Sequence, residues 1–371
     1  MIKIRKENLF ILNILLMKKN KKKIAIIGAG FFGCTIALIL SKRFEVDLYE
    51  RKPDILNEAS MCNQFRFHLG YHYPRSVKTV NEIKKSNKDF IKFYGSDIFG
   101  DTTNYYGIVR NQGFTSYDEY IKFLKKNNLT FKIKNNLNHT SSKVEGILIS
   151  KEKILNYFKI KKKIKKKIEL SKINLKLSSQ LDKHNLKYQN YHKIIIAAYK
   201  NNNDILERLG KKIHNKFRYE LVEKIAVKLP KKYKKLSFVI LDGKFVCIDP
   251  YLGTPYHLLS HVKHSKLKII KTKFSRFSKK YDIPLIKVKS TNIKISKFNK
   301  FIKDGSKYLP FLKYAKYMFS YFVVRTLKSN VEVTDERTNL RKQVDNKIIT
   351  VLAGKWNTCV HEAKKIDKVL R

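Results

Sequence analysis

Residues 23–50 restrict the fold of this chain more than any other stretch. An apolar run, Ile24–Ile27, has the length and composition of a buried parallel strand. The glycine-rich turn GAGFFG follows at 28–33, then an apolar helical segment, then a second strand that ends at Glu50. Glycines at these spacings permit a tight turn, close approach of the backbone to a pyrophosphate, and close packing of helix on strand. The pattern predicts the nucleotide-binding half of a dinucleotide domain.

Glu50 has a separate role in this pattern. It stands at the end of the second strand, about twenty positions after Gly28, where a carboxylate can accept hydrogen bonds from both ribose hydroxyls of an adenosine. The helix that starts after the turn offers free N–H groups to the phosphates. The motif is compatible with NAD and with FAD, and a Rossmann unit without a nucleotide is the alternative interpretation.

The formal charge of +51 says less about the partners of this chain than its size suggests. Such a charge is typical of proteins that bind nucleic acid or anionic surfaces. Most of the 81 basic residues are lysines, however, and they are spread along the whole chain beside abundant Ile, Asn, Tyr and Phe. This joint bias is typical of an AT-rich coding sequence, so we expect a solvated lysine-rich surface and no specific nucleic-acid partner.

The apolar run near the N-terminus is too short to span a membrane. The apolar run 9–17 lacks the roughly 20 residues that a membrane-spanning helix needs, although peripheral membrane contact stays open. A sequence typical of the start of a dinucleotide-binding protein begins at Met17, so residues 1–16 are predicted to be a dispensable extension. The four cysteines show no CxxC spacing, which favours a reduced, cytoplasmic setting.

The densest polar stretch of the chain is 58–76, with sequence EASMCNQFRFHLGYHYPRS. It holds two histidines, two arginines and two tyrosines, an inventory typical of a binding site. The alternative is a helix and a hairpin whose polar side chains are all satisfied locally.

The turn GAGFFG, the pair ER at 50–51, the EAS..N pattern at 58–63 and the histidine-bearing turn together resemble one family. This is the D-amino-acid oxidase/glycerol-3-phosphate dehydrogenase-like (DAO) family of FAD-dependent oxidoreductases. A second resemblance lies near the C-terminus, where the strand 347–352 leads through Gly354 into a last helix. In the family this turn aims backbone N–H groups at the pyrimidine end of the flavin. Ala353 and Tyr199 stand where the family usually has glycine.

The resemblance implies FAD as the cofactor and a set of contacts with it. The implied FAD-binding residues are Gly28, Ala29, Gly30, Phe31, Phe32, Gly33, Glu50, Arg51, Ala59, Ser60, Asn63, Gln64, Ala197, Ala198, Gly354, Lys355, Trp356, Asn357 and Thr358. It also implies an α/β fold: a Rossmann-like FAD-binding domain with a central parallel sheet, interleaved with an α+β substrate domain that contains an antiparallel sheet. The FAD-binding domain is predicted to comprise 17–75, 146–205 and 321–371, and the substrate domain 76–145 and 206–320.

Further predictions concern the secondary structure of single segments. A Tyr-rich helix is predicted over Asn299–Phe322, and the segments 173–178 and 186–189 are predicted to pair as strands. No metal is expected, because His257, His261 and His264 lack metal spacing and acidic partners.

The expected activity is oxidation of a small amine, amino acid, alcohol or hydroxy acid by hydride transfer to flavin N5. The reaction needs a small-molecule substrate and an electron acceptor. Candidate catalytic residues are His68, His257 and Arg325, and candidate substrate-binding residues are Arg66, Tyr71, Tyr251 and Arg325. A structural salt bridge is the alternative role for Arg325. A flavin-dependent sugar-nucleotide mutase-like isomerase and a non-catalytic nucleotide-binding protein are the alternative functions.

Overall fold

The computed structural model describes residues 21–134, 138–181, 186, 188–286, 288–331 and 334–371. The predicted N-terminal extension, 1–16, lies outside the described residues. Among the described helices, none combines the length and the apolar character needed to cross a bilayer.

Strands and helices alternate along the first half of the chain, and strands dominate the second. The strands are β1 (Lys23–Ile27), β2 (Glu45–Tyr49), β3 (Arg66–Phe67), β4 (Phe99–Gly100), β5 (Thr103–Val109), β6 (Phe131–Lys134), β7 (Val144–Ser150), β8 (Lys153–Leu155), β9 (Ile173–Lys176), β10 (Lys193–Ile196), β11 (Phe217–Lys228), β12 (Leu236–Leu241), β13 (Val246–Pro250), β14 (His257–His261), β15 (Lys266–Thr272), β16 (Lys289–Ser290), β17 (Lys316–Lys328), β18 (Leu340–Gln343) and β19 (Ile348–Leu352). The helices are α1 (Phe31–Leu40), α2 (Val77–Tyr94), α3 (Tyr117–Lys126), α4 (Tyr157–Glu169), α5 (Asn202–Arg208), α6 (Asp282–Ile286), α7 (Phe298–Gly305) and α8 (Cys359–Val369).

The first sheet has the order β18-β19-β10-β1-β2-β9. Its strands run parallel except β18, which is antiparallel to β19 at the edge. Side chains of β1 point alternately into two apolar clusters, one shared with α1 and α8 and the other shared with α5. Both faces of the strand are therefore covered, which explains why its sequence is a continuous apolar run instead of an alternating one. The predicted parallel sheet of a Rossmann-like domain is confirmed.

The second sheet has the order β16-β17-β11-β14-β13-β12-β5-β7-β6, and β15 also pairs with β11. Its pairs are antiparallel except β5 with β12. This is the antiparallel sheet predicted beside the Rossmann-like domain. A small third sheet, β3-β8-β4, contains part of the polar stretch 58–76.

The predicted helix over Asn299–Phe322 is wrong beyond Gly305. α7 ends there, and β17 pairs with β11 along its whole length. The Tyr, Phe and Val residues of 316–324 are strand formers, and their pairing with a long neighbouring strand prevails over the helical interpretation. The predicted pairing of 173–178 with 186–189 is also wrong, because Tyr188–Asn190 forms a short 3-10 helix and β9 pairs with β2. Residue 187 lies outside the described residues.

Two of the predicted domain boundaries fall inside strands. The boundary between 145 and 146 cuts β7, and the boundary between 320 and 321 cuts β17, although both strands pair continuously within the second sheet. The division into two domains, with these boundaries, stays a prediction.

Candidate active site

The glycine-rich turn between β1 and α1 is packed so closely that side chains are excluded at two positions. Gly28 has a φ of +102°, and a Cβ there would lie 2.7 Å from the carbonyl oxygen of Ala197 on the neighbouring segment. A Cβ on Gly33 would lie 1.7 Å from the carbonyl oxygen of Gly28. Gly30 differs, because its Cβ would meet only the Ser60 hydroxyl, at 3.1 Å. Gly28 and Gly33 are therefore required by the fold, whereas Gly30 leaves room for a ligand.

The Glu50 carboxylate is held beside this turn by two backbone donors. Its Oε2 accepts from the N–H of Ala29 and its Oε1 from the N–H of Lys52, each at 2.9 Å. A carboxylate has about four acceptor positions, so two remain for the hydroxyls of a ribose. Arg51, the next residue, forms an ion pair with Glu58.

A cavity of about 580 Å³ extends from this turn to the second sheet. Its lining includes eight of the residues predicted to bind FAD, namely Gly28, Gly30, Glu50, Arg51, Ala59, Ser60, Ala197 and Ala198. At the other end it reaches Leu221 on β11 and Val323 on β17. The volume lies within the range of about 300–1,000 Å³ that is common for cofactor sites. The glycine turn, the oriented Glu50 and this cavity fit the ADP part of FAD.

Ala29, Phe31 and Phe32 lie behind the cavity and are at most 5% exposed. They do not line it, and their role in the turn is packing. The backbone N–H of Phe31 donates to the Ser60 hydroxyl at 3.1 Å, which joins the first turn of α1 to the polar stretch 58–76.

Asn63 and Gln64 are not among the residues that line the cavity. The Asn63 amide donates to the carbonyl oxygen of Ser60 at 3.0 Å. The Gln64 amide donates to the carbonyl oxygen of Leu258 at 2.9 Å, and Lys224 donates to its oxygen at 3.2 Å. The Gln64 amide therefore fixes the segment against β11 and β14, whereas the Asn63 amide closes a turn within the segment.

The turn at Gly354 is covered by the segment that precedes β18. The N–H of Gly354 donates to the side-chain oxygen of Asn339 at 2.7 Å, and a Cβ on Gly354 would lie 1.9 Å from the carbonyl oxygen of Arg337. An N–H expected to face the flavin is thus bound by an amide of the chain itself. Trp356 packs on Phe31, with 5.6 Å between ring centroids, which brings the C-terminal turn to the glycine-rich turn.

Four polar side chains meet next to this turn, and we call them the His68 cluster: His68, His72, Tyr73 and Lys355. The two imidazoles lie 5.4 Å apart between centroids, and each lies within 5.4 Å of the Tyr73 ring. The ammonium group of Lys355 stands 4.6 Å from the centroid of that ring. Among the described residues, the Nδ1 atoms of His68 and His72 and the Tyr73 hydroxyl are buried without a hydrogen-bond partner.

The backbone around His68 is fixed by two buried amides. Asn87 on α2 donates to the carbonyl oxygen of His68 at 2.9 Å, and Asn357 donates to the same oxygen at 3.3 Å and to the Asn87 side chain at 2.7 Å. The predicted residues Lys355 and Asn357 are thereby brought to His68. Thr358 also faces inward, with its hydroxyl donating to the carbonyl oxygen of Lys355 at 2.7 Å.

Comparison with known proteins decides the family of the N-terminal third. Residues 23–137 match the model of the DAO family, described as FAD dependent oxidoreductase. This segment belongs to the DAO family. Because the family is FAD-dependent and the segment holds the nucleotide-binding turn, the prediction of FAD as the cofactor is confirmed.

The curated relatives match this chain over only part of their own length. The chain is 29% identical over 137 residues to the FAD-dependent monooxygenase FPY4 of Fusarium mangiferae, covering 37% of each protein. It is 38% identical over 73 residues to the FAD-dependent monooxygenase kojA of Aspergillus flavus, covering 19% of this chain and 17% of the relative. The matches therefore span well under half of these relatives.

Solved structures share the fold over nearly the whole chain. Glycine oxidase from Geobacillus kaustophilus has a TM-score of 0.69 at 11% identity, and L-proline dehydrogenase from P. horikoshii has 0.69 at 13%, each covering 94% of both chains. The dithionite-reduced L-α-glycerophosphate oxidase of Mycoplasma pneumoniae, with FAD bound, has 0.66 at 14% identity over 95% of both chains. At these identities the likeness concerns the fold.

Burial sets the protonation of the His68 cluster. It lowers the pKa of His68 and of His72 well below the ordinary value for histidine, and the nearby Lys355 adds to the effect. Burial alone lowers the pKa of Lys355 to about 7. In the described part of the chain, no carboxylate forms an ion pair with Lys355. Both imidazoles are therefore neutral at pH 7, and the lysine is close to half protonated.

Arg66 lies next to the cluster in sequence but is used by a buried ion-pair network. Its side chain is 2% exposed and pairs with Asp249 and, at 3.4 Å, with Glu152. Burial works against its charge, yet the Asp249 carboxylate raises the pKa of Arg66 above its ordinary value. Tyr71 is also buried, and its hydroxyl donates to the carbonyl oxygen of Thr130. In the structure, Arg66 and Tyr71, two of the four candidate substrate-binding residues, are bonded to other parts of the protein.

His257, Tyr251 and Arg325 are not brought to the His68 cluster by any contact among the described residues. His257 is 4% exposed, and its Nε2 lies 3.1 Å from the carbonyl oxygen of Tyr233. Tyr251 stacks on Phe65 at 5.8 Å between centroids, and its hydroxyl lies 3.3 Å from that of Tyr321. Arg325 pairs with the buried Glu220.

Sequence reasoning did not select His72, Tyr73 and Glu152 as site residues. The first two lie in the polar stretch 58–76, where their proximity to His68 was the available signal. Glu152 has no such signal, because its environment depends on the pairing of β8 with β3, two segments that lie far apart in the chain. Its Oε1 lies 3.6 Å from the Nδ1 of His68, and its Oε2 accepts from the Tyr106 hydroxyl at 2.6 Å.

Proposed function

We propose that this chain is an FAD-dependent oxidoreductase that oxidises a small amino acid or hydroxy acid by hydride transfer from a C–H bond. Bound FAD would supply the hydride acceptor, N5 of the flavin ring. The reaction also requires an electron acceptor that reoxidises the flavin. The chain's own residues bind and orient the substrate, keep water away and take up a proton.

The observation that carries this proposal is the unpaired state of the His68 cluster. Three buried polar atoms, on His68, His72 and Tyr73, have no hydrogen-bond partner among the described residues, although a Glu152 oxygen lies 3.6 Å from the Nδ1 of His68. A buried polar group without a partner costs about 1–3 kcal/mol, so a protein rarely keeps three of them together without a use. A small polar substrate that bonds to these atoms would relieve this cost.

Among the predicted classes of substrate, Lys355 favours those that carry a carboxylate. Lys355 is half-buried, and an ammonium group without a carboxylate partner is costly there, which is why burial lowers the pKa of Lys355 to about 7. A substrate carboxylate beside it would stabilise the charged form and gain a charge-assisted hydrogen bond. This favours amino acids and hydroxy acids over simple amines and alcohols.

His68 is the group best suited to accept the substrate proton. Its imidazole is neutral, its backbone is fixed by Asn87 and Asn357, and Glu152 lies 3.6 Å from its Nδ1. A neighbouring carboxylate stabilises the imidazolium that forms when His68 takes up a proton. His72 and the aromatic rings around it limit the access of water.

The first test is the visible spectrum of the purified full chain, followed by reconstitution with FAD if it is colourless. Anaerobic bleaching of the flavin is then measured with amino acids, hydroxy acids, and the matching amines and alcohols that lack a carboxylate. We expect bleaching only by compounds that carry the carboxylate. A chain that cannot be reconstituted with FAD would overturn the proposal.

Variants assign the roles. H68N is expected to slow bleaching at least 100-fold, the contribution of a typical general base, while K355M is expected to raise the substrate concentration needed for half-maximal bleaching. H257N is the matched control, because His257 binds Tyr233 outside the cluster and its loss should leave bleaching unchanged. Equal losses in H68N and H257N would contradict the assignment of the proton acceptor to His68.

A further inference from the structure

Two histidines and an aspartate meet at the end of β14. His261 closes the strand, His264 lies in the turn before β15, and Asp304 lies in α7. One ligand atom from each lies within 4.8 Å of the others, and the two imidazole centroids are 4.5 Å apart. None of the three lines the cavity described above. We call this group the His261 site.

The fold supplies the acidic partner that the sequence did not reveal. Asp304 stands far along the chain, yet its Oδ2 lies 2.6 Å from the Nε2 of His264. Its other oxygen, Oδ1, accepts from Lys307 at 2.8 Å, which leaves Oδ2 as the atom directed at the histidines. The sequence-based expectation of no metal depended on the absence of such a partner.

The surroundings hold the site in place. His261 is 2% exposed, and its Nδ1 accepts a long hydrogen bond, 3.3 Å, from the N–H of Lys263. The Phe301 ring, also from α7, packs against both imidazoles at 6.0 and 6.2 Å between centroids. The three side chains therefore need small rotations, and no movement of a strand or helix, to surround one ion.

The donor set selects the class of ion. Two imidazole nitrogens and one carboxylate oxygen are the ligands of Zn²⁺ and similar borderline transition metals, with a fourth position left for water. Calcium and magnesium prefer an all-oxygen shell, which this site lacks.

We propose that His261, His264 and Asp304 bind one divalent transition-metal ion of the Zn²⁺ class. The ion would link the β14–β15 turn to α7 and so stabilise the second sheet at a point remote from the cavity. This inference does not depend on the proposed oxidation, because no residue of the His68 cluster takes part. The positive charges of Lys263 and Lys307 nearby weaken the site without occupying the ligand atoms.

The test uses the full chain with its flavin, freed of metal by a chelator and carrying no histidine tag. Zn²⁺ is titrated by calorimetry, and its ligands are identified by X-ray absorption. We expect one equivalent with a mixed nitrogen and oxygen shell, and a melting temperature that rises on addition of Zn²⁺. H264A and D304N are each expected to weaken binding at least tenfold.

His214, an exposed histidine on another part of the surface, gives the matched control H214A, which should bind like the unaltered chain. Melting of each variant without metal shows whether it folds, and D304N retains the shape of Asp304. Absence of stoichiometric binding, or unchanged affinity in the double variant H261A/H264A, would overturn the proposal.

Discussion

Glu220 on β11 lies opposite Arg325 on β17, and the Nε of Arg325 donates to Oε2 of Glu220 at 2.8 Å. The other oxygen of Glu220 accepts from the Nε of Arg218, also at 2.8 Å. Burial would raise the pKa of Glu220, but Arg325 and Lys266 lower it to about 2. Arg325 therefore forms an ion pair with a buried carboxylate, while its own side chain is 39% exposed. Such a salt bridge is the alternative role proposed for Arg325 from the sequence.

The variant R325Q separates this role from substrate binding. R325Q removes one of the two arginines bonded to the buried Glu220 carboxylate, and Arg218 remains. We expect the free energy of unfolding to fall by about 2 kcal/mol at pH 7. The folded-state pKa of Glu220 is below the ordinary 4.5, so its contribution is present above pH 4.5 and is lost as the pH falls towards 2. The difference between R325Q and the unaltered chain should therefore shrink at pH 3, as measured by urea unfolding.

The control is R276Q. Arg276 pairs with Glu207 at the surface, where both side chains are at least half exposed, so its loss should change the free energy of unfolding by less than about 0.5 kcal/mol. An R325Q variant of unchanged stability that binds acidic substrates poorly would instead make Arg325 the anchor of the substrate.

Substitution of single glycines tests the nucleotide-binding turn. G33A places a Cβ 1.7 Å from the carbonyl oxygen of Gly28, so the backbone must shift, and we expect a loss of about 3 kcal/mol or more in stability. G30A meets only the Ser60 hydroxyl at 3.1 Å, so the fold should survive, while FAD binding should weaken at least tenfold because the Cβ projects towards the pyrophosphate. Thermal melting and flavin fluorescence distinguish the two effects. Equal melting temperatures for the two variants would contradict the distinction.

The parts of the fold that the sequence predicts well are those formed by local interactions. β1, the turn, α1 and β2 are consecutive, and each glycine has a reason that can be stated from its neighbours. The strand β17 was predicted incorrectly, because its conformation depends on pairing with β11, about a hundred positions earlier. Periodicity in a Tyr-rich segment cannot reveal such a distant partner.

In the candidate site too, contacts within one segment could be predicted from the sequence, and contacts between distant segments could not. Gly28, Gly30 and Glu50, which line the cavity, were predictable because one motif contains them. The network of Arg66, Glu152 and Asp249 joins β3, β13 and the connection between β7 and β8, so the sequence alone suggested a free arginine where the fold has a paired one. The aspartate of the His261 site was missed for the same reason.

The carboxylate of Glu50 can be tested with a nearly isosteric change. E50Q keeps one acceptor oxygen but loses the charge and one of the two acceptor positions offered to the ribose. We expect FAD to bind about tenfold more weakly, equivalent to about 1.4 kcal/mol. Stability should fall by about 1 kcal/mol, because one of the two backbone donors, Ala29 or Lys52, loses its acceptor. The control is E45Q, since Glu45 is exposed at the opposite end of the same strand. Fluorescence titration with FAD measures both, and equal affinities would remove Glu50 from the cofactor site.

Lys355 makes a prediction about pH that concerns the protein without FAD or substrate. Its folded-state pKa is about 7 and its ordinary value is 10.5. Between these values the unfolded chain binds the proton and the folded chain does not, so this group makes the free energy of unfolding rise with pH. Below pH 7 the Lys355 ammonium group stays charged in the folded protein, and its full desolvation cost lowers the free energy of unfolding.

The variant K355M removes that cation and keeps an apolar side chain of similar length. We expect it to be more stable than the unaltered chain by a few kcal/mol at pH 6, on the order expected for a buried lysine with this shift, with the gain vanishing as the pH approaches 10.5. Urea unfolding at pH 6 and pH 10 measures the difference, and K300M, at an exposed lysine, should show no such dependence. A K355M variant that is less stable at pH 6 would mean that the ammonium group has an anionic partner within the protein, and the argument for a substrate carboxylate at this position would lose its basis.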